Sequence, residues 1–440
     1  MPPQGPSTVR FSRLLASSVW VLIGTGVSGL ATLVSSVFVA RLIVPVAFGK
    51  LTVALTAVTL LAGLAGLGLT LAITRRVAEV KGDRPSLAGR YIGSVLALTC
   101  VAGVGMALVL ALARVPIARA LLQDRGYASL IEASSVAVLA MALNSAIQAS
   151  LTGLEAFRQF AGAQWLQGLA TGGGLIVGAS AGGATDAMLG FALGQAAAAA
   201  CSMELLRRSG RAQGVALACS LRRAEVRQLF GFGIPTFVAY ITGSLAVLGS
   251  QLLLSRQSSG YAAVALFSVA YRWHVAIQFL PGRIVPVLIP ALTRLHAADE
   301  SRRVASIFRA AMWGTFALTG ITAVPIAALS PFLLGLSGTF YSKHPLPLIL
   351  LAVASIPAAI NGVLSGTSVS LGAMREWLVS DVVLAAVLLG TAAALVGPLG
   401  ATGLAVAYLA GMVATDAALA LPLRRRMRVA PAPALDTASL

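Results

Sequence analysis

Eight stretches of the chain carry no charged side chain: residues 14–40, 51–74, 91–113, 133–154, 159–185, 228–255, 310–342 and 382–415. Each is longer than the ~20 apolar residues that cross a bilayer, so the chain is predicted to be a polytopic membrane protein. Charged residues make up only 10% of the 440-residue sequence, where a soluble protein carries roughly 25%. A soluble domain is thereby excluded. Hydrocarbon admits only helices and closed barrels, and the runs are continuous rather than alternating at period two, so the spans are predicted to be helices.

Splitting the longest runs at turn residues predicts an all-α fold of twelve transmembrane helices, near 14–40, 51–73, 92–113, 130–152, 161–182, 185–206, 229–254, 262–289, 310–330, 346–371, 378–397 and 400–421. The Val396-Gly397-Pro398-Leu399-Gly400 cluster marks the cut inside the last run. The first run follows Arg10 and Arg13 but is far longer than the ~7–15 residues of a signal-peptide core, and it is read as a membrane helix.

Outside the spans, 23 of 30 Lys and Arg fall on the side of the termini and the 74–91, 153–160, 207–228, 290–309 and 372–377 loops. The positive-inside rule then places both termini in the cytoplasm. The net charge of +18 is accounted for by this topology signal and by attraction to anionic lipid, and no nucleic acid is needed as a partner.

A shift of 217 residues places Ala156-Phe157-Arg158 on Ala373-Met374-Arg375, Gly183-Ala184-Thr185 on Gly400-Ala401-Thr402, and Gly194 on Gly411. The chain therefore reads as a duplicated six-helix unit. The expected divisions are a tail over 1–13, a lobe over 14–206, a linker over 207–228, a second lobe over 229–421 and a tail over 422–440. An even number of spans per unit makes this a parallel repeat of two pseudo-symmetric bundles, and a ligand site is expected between them near the midplane.

Polar residues inside spans are costly and are read as candidate site residues. Tyr271, Arg272, His274 and Arg283 share the eighth span, where Pro281-Gly282 is expected to kink the helix. Arg272 and Arg283 would lie three turns apart on one face of an unbroken helix. Arg272 is expected to face a cavity; for Arg283 a cavity wall and a snorkelling or paired position both stand.

Thr25, Ser28, Thr32 and Ser35 form one helical stripe and Thr52, Thr56 and Thr59 another, each either a packing seam or a groove wall. Asn144 with Gln148, and Gln164 with Gln167, are helical neighbours suited to a sugar or to each other. Gly63, Gly66, Gly68 and Gly172-Gly173-Gly174 are packing or bending sites. Of the acids near spans, Glu132, Glu204 and Asp381 are placed at membrane edges, and Asp416 lies deeper, as a coupling group or as an arginine's partner. Buried cation is expected to exceed buried anion. Cys100, Cys201 and Cys219 have no metal-site spacing, and neither a metal nor another cofactor is implied.

Val39-Ala40-Arg41-Leu42-Ile43 through Phe48-Gly49, Gly66-Leu67-Gly68 to Thr74-Arg75-Arg76, Leu154-Glu155-Ala156-Phe157-Arg158, Leu266-Phe267-Ser268-Val269-Ala270-Tyr271-Arg272 and Val396-Gly397-Pro398-Leu399-Gly400-Ala401-Thr402-Gly403-Leu404-Ala405 carry a resemblance. Together they resemble the oligosaccharide flippase (Wzx-like polysaccharide transport) family of the multidrug/oligosaccharidyl-lipid/polysaccharide exporter superfamily. Where that family often has an acid before the first Phe-Gly, this chain has Val46-Ala47. The resemblance implies a two-lobed, non-enzymatic transporter in a bacterial cytoplasmic membrane. It would move an undecaprenyl-pyrophosphate-linked oligosaccharide outward by alternating access, with membrane lipids and other polysaccharide-assembly proteins as partners. Arginine suits a pyrophosphate, and hydroxyls and amides suit a sugar. The alternatives are a drug or cation exporter, disfavoured by the scarcity of buried acids, and a membrane glycan polymerase or ligase, disfavoured by the short loops.

Overall fold

The computed structural model describes residues 6–218, 223–258, 260–298 and 300–428. Cys219, Arg222, Asp299 and the tail after Arg428 lie outside them. No strand occurs among the described residues. The helices are α1 (Pro6–Leu42), α2 (Pro45–Ala65), α3 (Leu69–Val80), α4 (Pro85–Leu112), α5 (Arg114–Leu122), α6 (Ala128–Gly153), α7 (Phe157–Gly182) and α8 (Ala184–Ala212). They continue with α9 (Arg223–Ser255), α10 (Gly260–Ile277), α11 (Ile284–Ala297), α12 (Ser301–Ala328), α13 (Ser330–Gly335), α14 (Thr339–Ser342), α15 (Leu346–Ser370) and α16 (Met374–Arg428). Eight helical stretches among the described residues are long and apolar enough to cross a membrane, the last of them Arg375–Leu423.

Two expected spans are broken. The second ends at Ala65 and restarts at Leu69, because Leu67 and Gly68 take left-handed φ of 51° and 65°. The eighth ends at Ile277, passes through a 3-10 turn at Pro281–Arg283 and resumes as α11. Proline removes a donor and crowds the preceding turn, so the helix breaks there rather than bending. Arg272 and Arg283 consequently do not share a straight helical face. The Gly-Pro-x-Gly cluster behaves differently: Pro398 stays helical and the reversal falls on Gly400, at φ 55° and ψ −130°. Gly183, 217 residues earlier, has φ 87° and ψ −145° between α7 and α8. Both positions demand glycine, since a side chain is strained at positive φ.

Element bounds recur with the same displacement. The α7 start at Phe157 matches the α16 start at Met374, and the ends of α3 and α6 match those of α11 and α15. Across the α7–α8 hairpin, Gly174 and Gly190 each face the other's carbonyl too closely to admit a Cβ, as Gly403 faces the Leu395 carbonyl in α16. Small residues thus let antiparallel backbones touch, which is how helices associate where lipid supplies no hydrophobic drive.

The largest core cluster runs from α1, α2, α6 and α8 into α9, α10, α15 and α16. Outward faces are apolar as well, with Val101 and Leu112 of α4 and Trp313 and Ile321 of α12 more than two-thirds exposed, as lipid contact requires.

Candidate functional site

Between α2 on one side and α9, α10 and α16 on the other lies a cavity of about 480 Å³. Its wall takes Thr52, Thr56 and Thr59 from α2, Tyr240, Ser250 and Gln251 from α9, Ser268, Tyr271 and Arg272 from α10, and Asp381 and Tyr408 from α16. Elements from both halves of the chain therefore build it.

Arg272 makes no hydrogen bond or ion pair among the described residues, although it lines this cavity. Asp381 is likewise unpaired on the same wall. The wall therefore carries one anion as well as one cation. In the helix, Asp381 lies seven residues past the start of α16, about 10 Å along its axis.

The hydroxyls have a single polarity. Thr52, Thr56 and Thr59 donate to the carbonyls of Phe48, Thr52 and Leu55 at 2.9, 3.0 and 2.9 Å, and Ser250 and Ser268 donate to Val247 and Val264 at 2.8 and 2.7 Å. Their protons are committed to the helix, so the cavity receives lone pairs. Gln251, 6% exposed, also lines the wall, and its Oε1 is buried with no partner. The wall is therefore rich in acceptors, with the Arg272 guanidinium as its charged donor.

His274 is not on this wall. It is buried behind it, Nδ1 lying 3.0 Å from the Leu351 carbonyl and 2.8 Å from Ser355 Oγ, and Nε2 3.1 Å from the Tyr408 hydroxyl. A carbonyl only accepts, and Ser355 already donates to Leu351, so Nδ1 carries the proton and Nε2 accepts from Tyr408. Tyr271 packs against both rings, at 5.2 Å from His274 and 5.7 Å from Tyr408. His274 thus fixes the orientation of a residue that does reach the cavity.

Other expected site residues pair with one another. Asn144 Nδ2 donates to Gln195 Oε1 at 3.0 Å, Gln148 to Gln167 at 2.6 Å and Gln167 to Gln195 at 3.3 Å, tying α6, α7 and α8 together. Gln164 of α7 does not line the cavity. In α1, Thr25 and Thr32 bond their own helix and the Ser28 backbone abuts Gly168 of α7, so that stripe is a packing seam. The groove wall is the α2 stripe instead. Arg283 stacks 4.6 Å from the Phe279 ring, away from the cavity. Among the described residues Asp416 has no arginine partner. It lines a separate pocket with Phe308, Ile360 and Leu364, beside Asn361, and its Oδ1 is unpartnered.

Past Thr52, the two halves meet. Gly49 lies against the Tyr261 backbone, the Tyr261 hydroxyl donates to the Leu121 carbonyl at 2.9 Å, and Lys50 bonds Asp124 at 2.7 Å beneath the Tyr127 ring. Lys50, together with the Gly126 N–H, holds the Asp124 carboxyl below its ordinary range. A depressed folded-state pKa adds stability above the unfolded value, which is lost as pH falls through the folded one. Thermal scans of the intact protein should therefore show a loss starting below about pH 4 that Asp124→Asn removes. Beyond Thr59, Tyr240 lies on Gly63 and donates to the Thr59 carbonyl at 2.7 Å.

The sequence profile of the polysaccharide biosynthesis protein family matches residues 14–296, more than half of the chain. The chain belongs to this family. It is 27% identical over 307 residues to the Lipid III flippase of Escherichia coli (strain K12), covering 66% of this chain and 70% of that protein. It is also 31% identical over 90 residues to the EPS I polysaccharide export inner membrane protein EpsE of Ralstonia nicotianae. That match spans 20% of this chain and 20% of the Ralstonia protein. In fold it resembles an inward-facing multidrug resistance MATE family transporter of the MOP superfamily, with a TM-score of 0.73, 17% identity, and 92% and 95% of the two chains covered. A MOP superfamily transporter from Pyrococcus furiosus superposes with a TM-score of 0.67 at 17% identity, over 95% and 96% of the chains. The family member described here thus has the fold of a membrane transporter superfamily.

Proposed function

We propose that the chain is a flippase that carries a lipid-linked oligosaccharide across the cytoplasmic membrane, without chemical turnover, for cell-surface polysaccharide assembly. The observation that carries this reading is the unpaired Arg272 on an acceptor-rich wall shared by both halves of the chain. A guanidinium in a low-dielectric cavity suits a phosphate-type anion. Hydroxyl lone pairs and the Asp381 carboxylate suit the O–H and N–H donors of a glycan. Arg272 and Asp381 stand on the same wall without pairing, so a multiply anionic group gains most at Arg272 while the sugar lies toward Asp381. A drug or cation exporter would find one unpaired acid here, but the family match and the relatives' names favour a polysaccharide precursor.

In this reading twelve spans form two six-helix lobes, 14–206 and 229–421, joined by the 207–228 linker, with both termini cytoplasmic. Asp416 remains a candidate for coupling to an ion. Purified protein in liposomes is expected to relocate a fluorescent polyprenyl-pyrophosphate glycan between leaflets and return it unchanged. Formation of a new glycosidic bond by the chain alone would refute the transporter reading. A cysteine in the 207–228 linker should react with an impermeant thiol reagent only from the cytoplasmic side, and labelling from outside would reverse the topology.

A further inference from the structure

Beside the polar cavity lies a second one of about 230 Å³ between α2, α4, α5, α6 and α9. Ala54, Ala57 and Leu61 of α2, Met106 and Val109 of α4 and Leu248 of α9 line it. Ser134 is the polar side chain on its wall, and its hydroxyl is spent on the Leu130 carbonyl at 2.8 Å. With no free polar group to hold it, water is a poor occupant; an apolar cavity of ~150 Å³ already stays dry and accepts benzene.

Two features give this pocket a direction. Leu60 belongs to its wall and to the wall of the polar cavity, and the consecutive α9 residues Val247 and Leu248 line one cavity each. At its other side Val109 is 59% exposed, within the apolar outer face of α4. The pocket therefore lies between the lipid-facing surface and the Arg272 cavity, adjoining the latter along the seam of α2 and α9.

We propose that this pocket holds a length of the isoprenoid chain of the same amphiphile whose pyrophosphate lies at Arg272. The inference rests on the flippase reading above and adds to it the place of the tail. The small Ala54 and Ala57 leave width for methyl branches, while the head and tail compartments meet at Leu60. An amphiphile can then enter from lipid with its chain solvated by protein throughout, so that only the head leaves water.

The test uses the full chain in phosphatidylethanolamine nanodiscs, with undecaprenyl pyrophosphate and inorganic pyrophosphate as probes. Ala57→Trp, which fills the pocket, is expected to weaken undecaprenyl pyrophosphate at least tenfold and to leave inorganic pyrophosphate unchanged. Val109→Trp closes the lipid-facing mouth at an exposed position and should reproduce that selective loss without disturbing the core. Arg272→Ala should weaken both probes. If both tryptophan variants bind undecaprenyl pyrophosphate as the unaltered chain does, the tail site is wrong while the flippase reading stands. Equimolar phosphatidylglycerol displacing the probe would also overturn it, in favour of an ordinary acyl-chain groove. If Arg272→Ala keeps both probes, the flippase reading at this cavity fails instead.

Discussion

Arg272→Ala is expected to lower translocation of a lipid-linked glycan at least tenfold at equal expression. The guanidinium lines the cavity, has no partner among the described residues, and so is free to meet an anion. Losing a charge-assisted hydrogen bond costs ~1.5–3 kcal/mol, and 1.4 kcal/mol is a factor of ten. Arg272→Lys should restore part of the activity, because an ammonium keeps the charge but cannot offer two parallel donors to one phosphate. Folding should be little changed by either substitution, since Arg272 supports no neighbour. Normal transport by the alanine variant would remove the anion-binding role. A collapse of the melting temperature would show that Arg272 is structural.

The second large effect is expected at Gly49. A Cβ there would collide with the carbonyl group of Tyr261, in the first turn of α10. Backbone cannot rotate aside as a side chain can, and the Tyr261 hydroxyl is itself tethered to Leu121. Relief therefore requires α2 and α10 to separate as bodies. Overpacking of this kind typically costs ~1–3 kcal/mol. Gly49→Ala should lower the melting temperature by several degrees, and Gly49→Leu further. It should also expose the cavity, so that a cysteine placed at Ser268 in a chain with its native cysteines replaced reacts faster with a water-soluble thiol reagent. Unchanged melting and unchanged reactivity would mean that the crossing does not close the cavity.

Sequence alone determined the fold class, because hydrocarbon leaves a charge-poor chain so few backbone solutions. Runs without charge, glycine and proline at the turns and the recurrence after 217 residues placed the helices of most expected spans, and the stretch from Leu266 to Arg272 carried part of the family resemblance. Arg272 was legible as a cavity-wall residue because a charge deep in a span is costly against lipid and tends to face the bundle interior or a cavity. Which face each polar residue presents was not legible. The α1 and α2 hydroxyl stripes have the same spacing, yet one packs on Gly168 and the other lines the cavity. Their difference lies in the helix opposite, which sequence spacing does not encode. His274 reads as a polar residue in a span, but the carbonyl of Leu351 and the hydroxyl of Tyr408, 77 and 134 residues away, make it a buried support. Asp381 reads as a carboxylate near the start of its span, and sequence spacing does not say which neighbour it faces. Only packing of α16 against α9 and α10 turns that carboxylate toward Arg272's cavity, since side chains far apart in sequence share a wall only when the helices that carry them are docked.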